Sequence, residues 1–83
     1  MIYPKHIVDK YKQLLVDEEG LKRAKGRDYY DKAKAISVLT GRLEKLRDEV
    51  QEEADVYASE SGADRDGSYD PDRVIDDLEE QLR

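Results

Sequence analysis

The 83-residue chain contains no cysteine, no tryptophan and no phenylalanine, and it has only one histidine. Without cysteine it can form neither disulfides nor thiolate metal sites. His6 is its one imidazole, and we expect a surface or capping role for it. No apolar run approaches the roughly 18 residues needed to span a bilayer, and no signal-peptide hydrophobic region is visible. The sequence therefore predicts a cytoplasmic protein that does not enter a membrane.

Motifs that carry chemistry are also missing from this sequence. It has no glycine-rich phosphate loop and no nucleophile motif. The acidic stretch around Gly67 fits a calcium loop poorly, because with Gly67 at loop position 6 the first position is Gly62 and the twelfth is Arg73. We therefore expect a protein that is not an enzyme, with no catalytic residues, no metal and no cofactor.

The supply of apolar side chains is small. The chain has nineteen Ile, Leu, Val and Met residues and six Tyr, while 43% of its residues are charged. A domain of this size has little interior relative to its surface. This composition predicts that either part of the chain stays unfolded or two subunits share a core.

Two stretches with helical spacing precede residue 60. Pro4 suits the first helical position, and apolar residues recur at helical spacing after it, which predicts a first helix near residues 4–19 with Gly20 as its left-handed cap. A longer helix over about residues 27–60 carries a seven-residue repeat. Its seam residues are Tyr29, Ile36, Leu39, Leu43, Leu46, Val50 and Tyr57. A helix break at Gly41, giving a hairpin, is the alternative, but the heptad phase continues past it.

The sequence changes character after residue 60. Residues 61–70 are polar, acidic and glycine-containing, which predicts a flexible acidic linker. Asp70 and Pro71 then supply a cap and a first-position proline for a short amphipathic C-terminal helix at 71–83. Residues 1–60 are predicted to form a helical hairpin-like unit. Nothing alternates with the period of a strand, so the predicted fold class is all-α.

Charge is divided along the chain. Residues 1–47 carry twelve Lys and Arg against seven Asp and Glu, whereas residues 48–83 carry three Arg against fourteen Asp and Glu. Two long helices laid antiparallel set each basic part beside an acidic part, and a parallel pair sets like charge on like. In the antiparallel register that pairs Leu43 with the partner's Leu46, Arg42 falls beside the partner's Glu49. We therefore predict an antiparallel coiled-coil homodimer.

Two charged segments are candidate contact surfaces. The acidic one, a candidate for engaging a basic protein surface, comprises Glu49, Glu52, Glu53, Asp55, Asp72, Asp76, Asp77, Glu79 and Glu80. The basic one has cations for phosphates and rings for stacking on bases. It comprises Lys22, Arg23, Lys25, Arg27, Tyr30, Lys32 and Lys34. The plainer interpretation of the acidic segment is a solubilising face with a disordered connection. For the basic segment it is a solvated connector followed by a helix whose tyrosines lie in the core.

The function that this sequence favours is contact with another protein. We expect an adaptor or inhibitor whose acidic C-terminal half engages a basic surface, as a nucleic-acid mimic does. One alternative is a nucleic-acid-associated protein that uses segment 22–34 and is regulated by its acidic tail. Another is a structural scaffold or assembly chaperone. Freestanding acidic proteins of this size are often accessory factors of phages, which is a background expectation only.

Overall fold

The protein forms a bundle of helices. The computed structural model describes the backbone of residues 1–26 and 32–83 and the side chains of residues 1–23 and 33–83. Helix α1 is Lys5–Gly26, α2 is Lys32–Ser61, α3 is Ala63–Asp66 and α4 is Val74–Leu82, with a 3-10 turn at Pro71–Arg73. These described residues contain helices and no strand, which confirms the all-α prediction.

Helices α1 and α2 pack side by side in opposite directions. Lys10, in the second turn of α1, contacts Glu53 in the later part of α2, while Asp17 further along α1 contacts Arg42 in the earlier part. The core lies along this hairpin and beneath α4. Its buried apolar residues are Tyr3, Ile7, Tyr11, Leu14, Leu43, Val50, Ala54, Ala58, Ala63, Val74 and Leu78.

Helix α1 is longer than the sequence predicted. An end at Gly20 was expected, but the helix continues to Gly26, so this prediction is wrong. Gly20 does not take the positive φ of a cap; among the described residues only Gly62 and Gly67 do. Leu21 lies beyond it and packs against the core. Burying part of a leucine offsets the cost of about 1 kcal/mol that a glycine brings to a helix interior.

Helix α2 runs without interruption through Gly41, as the unbroken heptad phase predicts. Leu43 and Val50 are 5% and 0% exposed, and Ala54 is also buried. All three belong to one buried cluster that also contains Val74 of α4. The heptad stripe of α2 is therefore the side that faces the rest of its own chain.

The segment at 61–70 differs from the predicted flexible linker. Gly62 and Gly67, with φ of 81° and 82°, bracket the single turn of α3. Ala63 is buried, and its carbonyl accepts hydrogen bonds from the backbone N–H groups of both Ser68 and Tyr69 at 3.1 Å. The two glycines supply the left-handed backbone that such tight turns need, and this is the physical reason for the correction.

The C-terminal helix docks on the hairpin. Asp70 caps the 3-10 turn that leads into α4, its carboxylate accepting a hydrogen bond from the Asp72 N–H at 3.0 Å, and Pro71 is the first residue of that turn. Val74 and Leu78 are buried against the hairpin. The Gln81 amide exchanges two hydrogen bonds, of 2.8 and 2.9 Å, with the backbone of Tyr3. These contacts explain how a helix of nine residues persists, since one this short is marginal alone.

Candidate functional site

Most residues of the predicted dimer seam pack within the single chain that the structure describes. Leu43 and Val50 are buried, and Leu46 and Tyr57 pack at the edge of the same core. Ile36 and Leu39 are half-buried, and Tyr29 lies outside the described residues. Helix α1 occupies the place that a second long helix was expected to take. The homodimer itself stays a prediction, because a single chain is described.

Helix α1 also supplies charges that complement α2. The Lys10 Nζ lies 3.3 Å from Glu49 and 2.9 Å from Glu53. Nearer the other end of the hairpin, the Arg42 guanidinium lies 3.3 Å from Asp17. The antiparallel arrangement expected between two copies, basic beside acidic, is therefore present between α1 and α2. Arg42 lies beside Asp17, where the sequence suggested the Glu49 of a second copy.

An acidic groove runs between the start of α1 and the later part of α2. Its volume is about 320 Å³. The residues that line this acidic groove are His6, Glu49, Glu52, Glu53, Val56, Tyr57 and Glu60. Six of the seven come from α2 at spacings of three and four residues, which places them on adjacent turns of one face. His6 comes from α1 and closes the side of the groove.

The acidic groove combines negative charge with exposed apolar surface. Val56 is 51% exposed although it is a β-branched aliphatic residue in a helix. The Tyr57 ring is held from below by Tyr3, with ring centroids 6.1 Å apart. Glu52 and Glu60 are exposed, and Glu53 uses one carboxylate oxygen to accept a hydrogen bond from Lys10. The groove therefore offers carboxylates around a small apolar floor.

Lys10 is the cation that the acidic groove holds in place. The hydrogen bond to Glu53 raises the pKa of the Lys10 ammonium above its usual value, with a smaller contribution from Glu49. Lys10 therefore stays charged at neutral pH. Its contacts neutralise part of the charge of two glutamates, while Glu52 and Glu60 form no ion pair with any described residue.

The remaining acidic candidates lie on other surfaces. The Asp55 carboxylate accepts a hydrogen bond from the Tyr69 hydroxyl in the 61–70 segment and another from the Gln51 amide one turn earlier in α2. Burial, and then the hydrogen bond to Asp55, raise the pKa of the Tyr69 hydroxyl. On the C-terminal segment Asp77 is half-buried; the exposed residues there are Asp72, Asp76, Glu79 and Glu80. The structure therefore brings Glu49, Glu52 and Glu53 together and separates them from the rest of the predicted acidic surface.

The basic candidates meet at one end of the hairpin. Lys22 and Arg23 are exposed near the end of α1, and Lys34 is exposed near the start of α2. Arg23 lies 3.8 Å from Glu19 one turn earlier. The side chains of Lys25, Arg27, Tyr30 and Lys32 lie outside the described residues. Three basic residues are thus placed at the same end, and no stacking ring is assigned to them.

Sequence reasoning missed two features of the acidic groove. His6 was expected to have a surface or capping role, and Val56 was not among the predicted contact residues. The signal that identifies Val56 is its position on the helix face opposite Leu43 and Val50. His6 gave no such signal, since its place beside Glu53 depends on the pairing of α1 with α2.

Neither a metal site nor a spanning helix is found in the described parts of the chain. No group of three or more His, Cys, Asp or Glu residues there is arranged to hold a metal ion. None of the described helices combines the length and the apolar character that crossing a bilayer requires. Comparison of the chain with protein-family models, curated proteins and solved structures gave no match.

Proposed function

We propose that this protein is a non-enzymatic interaction protein, an adaptor or inhibitor, whose acidic C-terminal half engages a basic surface on another protein. The observation that carries the proposal is the acidic groove, where glutamates surround the exposed Val56. An arginine or lysine side chain complements such a groove. Its aliphatic stem covers an apolar floor while its charged head pairs with carboxylates.

Electrostatics supports the same partner class. The chain carries a net charge of −6, and the part after residue 47 carries a balance of −11. A concentrated field of one sign steers a partner of the opposite sign and speeds its association. Because Glu52 and Glu60 are exposed, their contribution falls as salt screens them within about 8–10 Å. The proposed complex therefore weakens as ionic strength rises.

The test is a titration of the full chain with a defined basic probe, a peptide of alternating arginine and alanine. The variant Glu52→Gln with Glu60→Gln is compared with the control Glu79→Gln with Glu80→Gln, which removes the same charge from α4. We expect the groove variant to weaken binding at least about fivefold more than the control. Equal loss in the two variants contradicts the proposal, because it indicates attraction to net charge alone.

Related measurements distinguish this proposal from two other functions, nucleic-acid association and a role as a scaffold or chaperone. Lys22, Arg23 and Lys34 share an exposed end of the hairpin, which supports the nucleic-acid-associated alternative. Removing residues 61–83 would abolish α4 packing, so charge variants in the intact chain give the cleaner comparison. Strong, salt-sensitive binding of a DNA oligonucleotide would favour the nucleic-acid-associated function, provided that the variant Lys22→Gln with Arg23→Gln abolishes this binding. Association that grows beyond a dimer with concentration favours a scaffold or chaperone.

Self-association is the second part of the proposal. The sequence predicted an antiparallel coiled-coil homodimer through the seam. In the described chain Leu43 and Val50 already pack within the monomer, so a dimer through those residues requires α1 to leave α2. A homodimer that keeps the hairpin intact needs a different surface.

A further inference from the structure

One face of α2, turned roughly 90–180° around the helix from Leu43 and Val50, is exposed along most of its length. We call it the outer face, and its residues are Lys34, Val38, Arg42, Lys45, Glu49, Glu52, Val56 and Glu60. Steps of three and four residues connect them, so they form one stripe on the helix. Val38 and Val56 are 55% and 51% exposed. Eighteen residues, or five helical turns, separate these two valines, which places them on the same side.

The residues of the outer face lie in pairs at equal distances on either side of position 47. The charged residues of each pair have opposite signs. Lys45 and Glu49 lie two positions on either side of it, and Arg42 and Glu52 lie five positions away. Val38 and Val56 lie nine positions from it. Lys34 and Glu60 lie thirteen positions from it. Each basic residue of one half has an acidic counterpart in the other half, and each valine has a valine.

We propose that a second copy of this chain docks on the outer face of α2 with its own α2 antiparallel. The inference rests on the self-association proposed above and names its surface. A two-fold axis at position 47 sets Val38 against the partner's Val56 and Lys34 against the partner's Glu60, and by symmetry each contact occurs twice. The same surface serves both subunits, so the assembly closes as a dimer.

The shape of the outer face suits a helix. Val56 and Glu60 line the acidic groove, so in the proposed dimer the first turns of the second copy's α2 pack against this groove. A second groove of about 240 Å³ lies near the axis, lined by Gln13, Arg42, Lys45, Leu46 and Glu49. Gly41 has nothing within 4 Å of the place where a Cβ would stand. A glycine there lets a neighbouring backbone approach closely.

Opposite charge also selects the orientation. A parallel pair of outer faces sets Lys45 beside Lys45 and Glu52 beside Glu52, which is repulsive. The antiparallel pair sets lysine beside glutamate at both ends. Two of the central residues are shared with the hairpin, since Glu49 contacts Lys10 and Arg42 contacts Asp17. The terminal pairs formed by Lys34 and Glu60 therefore contribute most to the preference.

Cross-linking of two single-cysteine variants tests the orientation, because the natural chain has no cysteine. The variants are Val38→Cys and Val56→Cys, prepared separately. Side chains that face each other across packed helices come within the range for a disulfide. We expect mild oxidation to link the mixture of the two variants, while neither variant links to itself. Self-linking of either variant alone indicates a parallel pair and overturns the proposal, as does failure of the mixture to link.

Sedimentation equilibrium of charge variants tests the surface. We expect Lys34→Glu with Lys45→Glu to weaken dimerisation at least about tenfold, and Glu52→Lys with Glu60→Lys to do the same. Mixing the two variants recovers part of the association, because positions 34 and 60 again carry opposite charges in both of their contacts, whereas positions 45 and 52 do so in only one of their two contacts. The control Glu79→Lys with Glu80→Lys changes charge equally on α4 and leaves dimerisation within about twofold. If the outer-face variants dimerise as strongly as the natural chain, the proposed surface is wrong. If the natural chain is monomeric at all concentrations, the proposed self-association is wrong as well. Binding of the arginine-alanine peptide is measured separately and tests the partner proposal.

Discussion

Replacing Arg42 with methionine is expected to destabilise the hairpin by about 1–2 kcal/mol. Asp17 is only 5% exposed, and the Arg42 guanidinium lies 3.3 Å from its carboxylate. Gln13 donates one further hydrogen bond to it, at 3.1 Å. Removing one partner of a fully buried ion pair costs about 3–5 kcal/mol. The Arg42 side chain is 56% exposed, so water screens the pair and lowers the expected cost.

Urea and thermal unfolding followed by circular dichroism measure this effect, at dilution that keeps the protein monomeric. For a chain of this size 1 kcal/mol corresponds to about 4–8 °C in Tm. The matched control is Arg47→Met, because Arg47 pairs with Glu18 at 3.0 Å but both side chains are more exposed, and its cost should stay below about 0.5 kcal/mol. Methionine keeps the apolar stem in both variants. Equal destabilisation by the two substitutions refutes the reasoning.

Three further changes probe the fold. Gly20→Ala is expected to stabilise the protein by about 0.5–1 kcal/mol in urea unfolding, because Gly20 lies inside α1 with free space around it. Gly67→Ala should destabilise it by about 1 kcal/mol or more in the same assay, since its φ is 82°. Raising the pH should weaken the fold. The pKa of the Tyr69 hydroxyl is raised by burial and by Asp55, so the stability it contributes is present below its unfolded pKa of about 10 and is lost as pH rises beyond that. Absorbance titration of tyrosinate with parallel urea melts measures this loss, and Tyr69→Phe should make it smaller. If Tyr69→Phe leaves the slope against pH unchanged, Tyr69 is not its source.

The sequence predicted local helical features better than the contacts between helices. The seven-residue repeat identified Leu43 and Val50 as one face of a long helix, and both are buried. What covers them depends on residues far away in the chain, and periodicity does not encode that pairing. Gly20 was misinterpreted as a cap because composition does not show whether Leu21 has a core to pack against. Turn geometry at 61–70 was missed for the same reason, since Ala63 gains its role only by being buried.

The acidic groove could be predicted only in part. Glu49, Glu52 and Glu53 were chosen from the density of acid, and their spacing places them on adjacent helix turns. Asp55 was chosen on the same ground, although it lies two residues after Glu53, about 200° around the helix, and contacts Tyr69. The contribution of His6 required knowledge of which part of α1 lies beside α2. Charge density identified the segment, and tertiary packing selected the residues within it.

The charge division of the sequence contains two patterns that the fold separates. Charges at the edges of α2 that border α1 find partners within the chain, as Glu53 does with Lys10 and Arg47 with Glu18. Charges on the outer face, such as Lys34 and Glu60, are exposed. Glu60 belongs both to the acidic groove and to the proposed dimer surface, so we expect a second copy and a basic partner to compete for it. The acidic residues of the whole chain outnumber the basic ones, 21 to 15, so pairing between two copies is expected to leave an excess of acidic residues on other surfaces. Dissociation of one copy would expose the acidic groove. The two proposals together predict that self-association sets the concentration range in which the groove is available to a basic partner, since binding to one state shifts the equilibrium between the two.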